Sequence, residues 1–326
     1  MAVDPDGGSM KVSFVEPLSR AVERMRRILL EPFDFVKWLV LGFSAWLAGL
    51  ASSGGGGGGT YQIYDDEAGH SREIVSNLDQ VLERLVSNFI MLPLVLLLIS
   101  AILVVVLLVF WVSSRAKFIF LDNVVHNRAE IVEPWKRFKR LGNSLFLWRL
   151  GFLVGCIAAA LAVMLVFFAP AATMSLSDAL EALSIAAIVM GVIVVMVFSV
   201  IAAFVLLLLE NFVIPIMYRF DLKATEAWRA FLPWLRSYGG YFVMYGLVVL
   251  LVAIPAFLVY WVLCCCTCCI VAIPYIGTVI LLPVWVSYRC FGPEFLAQFD
   301  SSFDLFSPVP VTPAALREGE SEPESS

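Results

Sequence analysis

The chain has 326 residues, 61% of them hydrophobic and only 15% charged, with a formal net charge of −5 and a mean hydropathy of +0.90. A soluble domain carries about 25% charged residues. A fold of this size cannot hide the excess apolar surface from water, so a soluble globular protein is excluded and that surface must face lipid.

The first 34 residues contain six acids and no apolar core, so no cleaved signal peptide is expected and the first apolar segment should be a retained span. After a short tail over 1–15, Leu18, Ala21, Val22, Met25, Ile28 and Leu29 recur at i, i+3, i+4 and i+7. Arg20, Arg24 and Arg27 take much of the opposite face, Pro17 can open this helix and Pro32 can close it. A six-span membrane domain over 16–300 follows, with apolar segments near 36–52, 89–112, 145–169, 183–209, 241–263 and 268–288. In lipid each backbone amide must be satisfied internally, so every span should be a helix. The plainest evidence is the run of 52 residues between Arg236 and Arg289 without Asp, Glu, Lys or Arg. As helix it would measure about 78 Å, enough to cross a hydrocarbon core of about 30 Å twice. Lys37 and Arg149 lie near the starts of their spans, where long cationic side chains can snorkel to the interface. Residues 301–326 mix Glu318, Glu320, Glu322 and Glu324 with four prolines, a composition read as a disordered tail.

Charge sets the orientation. With both termini and the 113–144 and 210–238 loops on one side, that side and its span ends hold 20 of the 22 Lys and Arg residues. Arg72 and Arg84 are left opposite, among eight acids. The bias places both termini in the cytoplasm. On the far side, 54–59 is a six-glycine run with neither the strand nor the Lys-Ser/Thr of a phosphate loop, and reads as a linker. Ile74, Val75, Leu78, Val81, Leu82, Leu85 and Val86 form another helical stripe beyond it.

An internal repeat is written in the segments that precede the odd-numbered spans. Glu133, Trp135, Lys136 and Phe138 match Glu226, Trp228, Arg229 and Phe231 in the pattern E-x-W-[KR]-x-F, 93 residues apart. The segments leaving each hairpin also rhyme, from Arg115 with Lys117 and Phe118, from Glu210 with Asn211 and Phe212, and from Arg289 with Cys290 and Phe291. The chain therefore reads as three units, each an interfacial amphipathic helix plus a two-span hairpin. Trp135, Phe138, Trp228 and Phe231 would anchor the interface, each Trp against its own hairpin, and Lys136 and Arg229 would face headgroups.

Few residues carry chemistry. Cys265 with Cys268 and Cys266 with Cys269 make overlapping C-x-x-C spacings that could ligate a soft metal or form disulfides. Packing at a tight membrane turn is the favoured reading, because no His or acid lies nearby and a buried Cys acts as a small hydrophobe. Glu210 closes a long apolar run and is the one intramembrane polar candidate; with Arg219 or Lys223 in reach, it reads as an anchor. Gly151, Gly155 and Ala159 make a small-residue face expected to pack inside the hairpin or bundle. No catalytic motif is present, and no cofactor, metal or nucleic-acid partner is expected.

With these features in place, the chain resembles uncharacterised bacterial multi-pass membrane families related to the membrane domain of glycerophosphoryl diester phosphodiesterases. The likeness rests on Glu133 to Phe138, on Glu226 to Phe231, and on the closing run from Ile273 to Phe291. It implies a bacterial inner-membrane location and brings no active site, since the soluble phosphodiesterase domain is not part of it. The functional expectation is a non-enzymatic scaffold, anchor or regulator whose partners are the bilayer and other membrane proteins. The alternative is a permease or lipid-handling protein with a cavity among the spans.

Overall fold

The computed structural model describes residues 12–31, 33–51, 91–172, 185–266 and 273–306. The glycine run, the 74–86 stripe, Pro32, Cys268, Cys269 and the tails over 1–11 and 307–326 lie outside the described residues. Every regular element among the described residues is helical.

Helix α1 spans Val15–Leu29, with Glu16 in its first turn and Arg26 and Arg27 in its last, charges that match the helix dipole at both ends. Its apolar stripe buries Ala21, Ile28 and Leu29. Helix α2, Phe35–Gly49, is capped by the Asp34 carboxylate, which accepts from the amides of Val36 at 2.9 Å and Lys37 at 3.3 Å. Then come α3 (Met91–Val125), α4 (Val132–Arg137), α5 (Lys139–Ala172) and α6 (Ile185–Leu208). A π-helical turn, Leu209–Val213, carries α6 into α7 (Ile214–Phe220). Helix α8, Ala224–Cys266, bends at Tyr238, whose φ of −122° and ψ of 26° are non-helical, just before Gly239 and Gly240. Two short helices follow, α9 (Pro274–Ile280) and α10 (Leu282–Leu296).

Four stretches are long and apolar enough to cross a membrane: Pro93–Val125, Lys139–Val163, Met190–Phe220 and Ala224–Cys266. They overlap four of the six expected spans. The first expected span appears as α2, fifteen residues long and therefore about 22 Å. The last is described from Ile273 as α9 and α10, which break at Leu281. Pro283, next to that break, has no N–H to continue the helical ladder.

The long helices are packed only over their inner halves. Helix α2 runs antiparallel to the inner half of α3: the Lys37 ammonium donates to the Asn127 side-chain oxygen, and the Ser113 hydroxyl donates to the Ala48 carbonyl at 2.8 Å. Residues 113–125, expected as the start of a loop, are thus the buried end of α3. Phe118, Ile119, Phe120, Leu121 and Val124 supply the apolar surface that keeps it helical. Outward of Ser113, α3 continues for 22 residues, about 33 Å. There nearly every side chain between Leu94 and Leu108 is exposed. The outer parts of α5, α6 and α8 are exposed in the same way, through Leu161, Val192, Ile201, Leu251 and Val262 among others. Gly151 and Gly155 share this openness: no atom comes within 4 Å of a Cβ built at either. They do not pack inside the hairpin as expected.

Where the helices do pack, they form a dense aromatic base. Phe212, on the π turn, lies 4.8 Å from Tyr245, 5.1 Å from Phe242 and 5.5 Å from Phe231, measured between ring centroids. All four side chains are fully buried. Helix α1 seats on α10 through Phe14 stacked on Phe295 at 5.4 Å and an ion pair between Arg24 and Glu294. Just beyond α10, Gln298 exchanges hydrogen bonds of 2.9 Å with the backbone of Ser13. Helix α2 meets α9 where the Trp38 indole donates to the Val279 carbonyl at 2.8 Å and the Tyr275 hydroxyl donates to that of Leu39 at 3.1 Å. Helix α1, the α3–α4 connection, the α7–α8 connection and the end of α10 therefore share one end of the bundle.

Candidate functional site

The three rhyming exit segments meet inside this base. Lys117 from α3 forms an ion pair with Glu210 on the π turn, and Arg289 from α10 donates to the carbonyls of Glu210 and Lys117, both at 3.1 Å. Lys117 and Arg289 are buried, and Glu210 keeps a quarter of its side chain exposed. Glu210 was expected near Arg219 or Lys223; its ion-pair partner is instead Lys117, a residue 93 positions earlier. Arg149, expected to snorkel, is also buried: it donates to the Ala51 carbonyl at 2.7 Å and to the Ser114 hydroxyl at 3.4 Å. Three cations thus act on one carboxylate, and backbone carbonyls take up terminal guanidinium donors of Arg149 and Arg289.

The π turn is what makes the geometry work. The inserted residue turns Asn211 inward, where its amide donates to Tyr288 at 2.7 Å and its oxygen accepts from Tyr245 at 3.1 Å. Gly292 on α10 stands so close that a Cβ there would lie 2.3 Å from the Asn211 carbonyl oxygen. Only a glycine lets α10 approach the turn this closely.

A second polar cluster closes the same end of the bundle. The buried carboxylate of Asp122 accepts from Tyr218 at 2.7 Å and from two nitrogens of Arg128 at 2.6 and 3.2 Å. The hydrogen bond to Asp122 raises the Arg128 pKa above its ordinary value. The His126 ring sits 3.3 Å from the Tyr218 hydroxyl. Together these groups pin the end of α3 to α7.

The residues expected at the membrane interface lie on the base, with one correction to what they pack against. Trp135 meets Trp111 of α3 edge-on at 6.0 Å, and Trp228 stacks on Trp148 of α5 at 5.5 Å. Each indole therefore packs on the preceding hairpin rather than on its own, because α4 and the start of α8 fold back against the helices they follow. Between the first two rings and α5, Arg115 lies 4.1 Å from the Trp111 ring and donates to Asn143 at 2.9 Å. Phe138 and Phe231 are buried, the former against Phe118 and Tyr218, while Lys136 and Arg229 are exposed. Cys265 and Cys266 are exposed at the far end of α8, away from the base.

The ionic centre was hidden from sequence reasoning because Lys117 was taken to lie in a loop. A signal was present in the spacing: Lys117 and Glu210 are 93 residues apart, the same separation as Trp135 and Trp228.

The arrangement holds helices together. Lys117, Glu210, Asn211 and Arg289 each bond a group on a different helix, and Arg149 ties α5 to Ser114 of α3 and to Ala51 just past α2. A profile for a family of unknown function, DUF7544, matches residues 12–299. The chain belongs to this family. No curated protein and no solved structure matches it. The DUF7544 match spans every described helix, from α1 to α10. It carries no link to the glycerophosphoryl diester phosphodiesterases, and the expected resemblance narrows to an uncharacterised family.

Proposed function

We propose that this protein is a non-enzymatic scaffold or anchor of the bacterial inner membrane, presenting a packed base to cytoplasmic or membrane partners. In this reading the six apolar segments form three units, α2 and the α9–α10 pair being the shorter members. Both termini lie in the cytoplasm. Trp135, Phe138, Trp228, Phe231, Lys136 and Arg229 belong to the headgroup level.

One observation carries the reading. The basic connections gather at a single end in a dense aromatic and ionic base, while four apolar helices project from it with their side chains exposed. A base braced by buried ion pairs is suited to holding a shape for others to bind, and projecting apolar stems are suited to lipid. The grooves in the base are shallow, such as one of about 300 Å³ lined by Phe14, Tyr238, Tyr241 and Met244.

The test is affinity purification of the native protein from its membrane in mild detergent, with mass spectrometry of bound proteins and lipids. A stoichiometric protein partner, lost when exposed residues of the base are changed, supports the scaffold. A bound small solute that the reconstituted protein carries across a vesicle membrane would reject it.

A further inference from the structure

The base carries arginines and lysines on two exposed amphipathic elements, and the two are electrostatically unlike. On α1 each arginine has its own acid: Arg20 pairs with Glu16, Arg27 with Glu23, Arg26 with Glu31 and Arg24 with Glu294. That helix presents neutralised charge. At the corner where α4 turns into α5, Lys136, Arg137, Lys139 and Arg140 follow within five residues and all are exposed. Arg140 pairs with Asp221. Lys136, Arg137 and Lys139 form no ion pair among the described residues. Of the nearby acids, Glu130 pairs with Arg128 at 3.4 Å, and Glu133 adds to the field at that same arginine. The corner is also the start of a helix of 34 residues, whose N-terminal dipole adds to the positive potential.

Apolar surface adjoins these cations. A shallow groove of about 440 Å³ is lined by Ile131, Val132 and Lys136, together with Glu130 and Glu133. Val132 is 71% exposed beside the charged run. An apolar wall beside clustered cations suits a lipid, which brings both a phosphate and hydrocarbon, better than a free anion. We infer that the α4–α5 corner, through Lys136, Arg137 and Lys139, binds the phosphate headgroups of anionic bilayer lipids, with Ile131 and Val132 against their apolar part. The inference rests on the membrane placement proposed above, and it selects this corner over α1, which also carries four cations.

The full chain in dodecyl maltoside is titrated with phosphatidylglycerol, with phosphatidylcholine and inorganic phosphate as separate arms, and followed by tryptophan fluorescence. Each cation near an anionic surface contributes about fivefold in affinity, so K136Q/R137Q/K139Q should weaken phosphatidylglycerol binding by about a hundredfold. R20Q/R26Q/R27Q should stay within about twofold of the wild type. K136R/K139R, which keeps the charge, should bind as the wild type does and shows that the loss is not unfolding. Three results would each overturn the inference: unchanged affinity in the corner variant, an equal loss in the α1 variant, or saturation by inorganic phosphate at the same concentration. Vesicle flotation of the same variants separates the two readings, because loss of membrane insertion in the wild type would strike the membrane placement instead.

Discussion

Replacing Glu210 with Met removes the one carboxylate from among Lys117, Arg149 and Arg289. The three cations then lose the carboxylate they share, and removing one partner of a buried pair costs about 3–5 kcal/mol. Lys117→Met is the milder change, because Glu210 keeps the fields of Arg149 and Arg289. Its loss should be nearer the value of a charged hydrogen bond, about 1.5–3 kcal/mol. In the double variant two apolar side chains replace the pair, a substitution that is often nearly neutral, and Arg149 and Arg289 keep their backbone carbonyl acceptors without a third cation beside them. The expected order is therefore E210M as the least stable, then K117M, with the double variant within about 2 kcal/mol of the wild type. Equilibrium unfolding in mixed micelles of increasing dodecyl sulfate content, followed by tryptophan fluorescence and far-ultraviolet circular dichroism, measures all three. If E210M is no worse than K117M, or if the double variant loses as much as the two singles combined, the ionic centre does not brace the helices as argued.

Gly292→Ala should cost about 1–3 kcal/mol by forcing α10 away from the Asn211 carbonyl. Gly155→Ala, in open surroundings, should be neutral or stabilising by up to about 1 kcal/mol; thermal melts in detergent compare the two. Trp135→Ala and Trp228→Ala should lower stability by similar amounts, a few kcal/mol each, since each removes one half of a tryptophan pair; quenching by brominated lipids should place both indoles at a similar depth. Changing Cys264, Cys265, Cys266, Cys268 and Cys269 together to Ala should leave a folded, inserted protein with a modest packing loss; stoichiometric zinc lost along with the fold would reject that.

The sequence made the four long helices legible because each carries an unbroken apolar run that nothing but a helix can satisfy in lipid. It was less informative where polarity and apolarity alternate. Residues 113–125 read as a loop because Arg115, Lys117 and Asp122 break the apolar run, yet the same stretch buries Phe118 and Leu121. Burial of these cations depends on partners far along the chain, Glu210 for Lys117 and Ala51 for Arg149, and one sequence does not reveal such pairs. The tryptophan pattern falls on α4 and the start of α8, but it does not reveal the side on which those segments pack. That direction is set by the turns after α3 and α7, where Asn127 and Asp221 adopt left-handed backbone angles of 52° and 51° in φ. The small-residue face of α5 gave the wrong partner, since close approach of backbones needs a facing helix as well as the glycines.

Single introduced cysteines, in a background lacking the native ones, test the central claim most directly when treated in intact cells with a membrane-impermeant thiol reagent. In the proposed orientation, which rests on the 20-to-2 division of basic residues, the base and both termini lie inside. Labelling at Ser71 with none at Ser321 is the predicted result; labelling at Ser321 with none at Ser71 would contradict it.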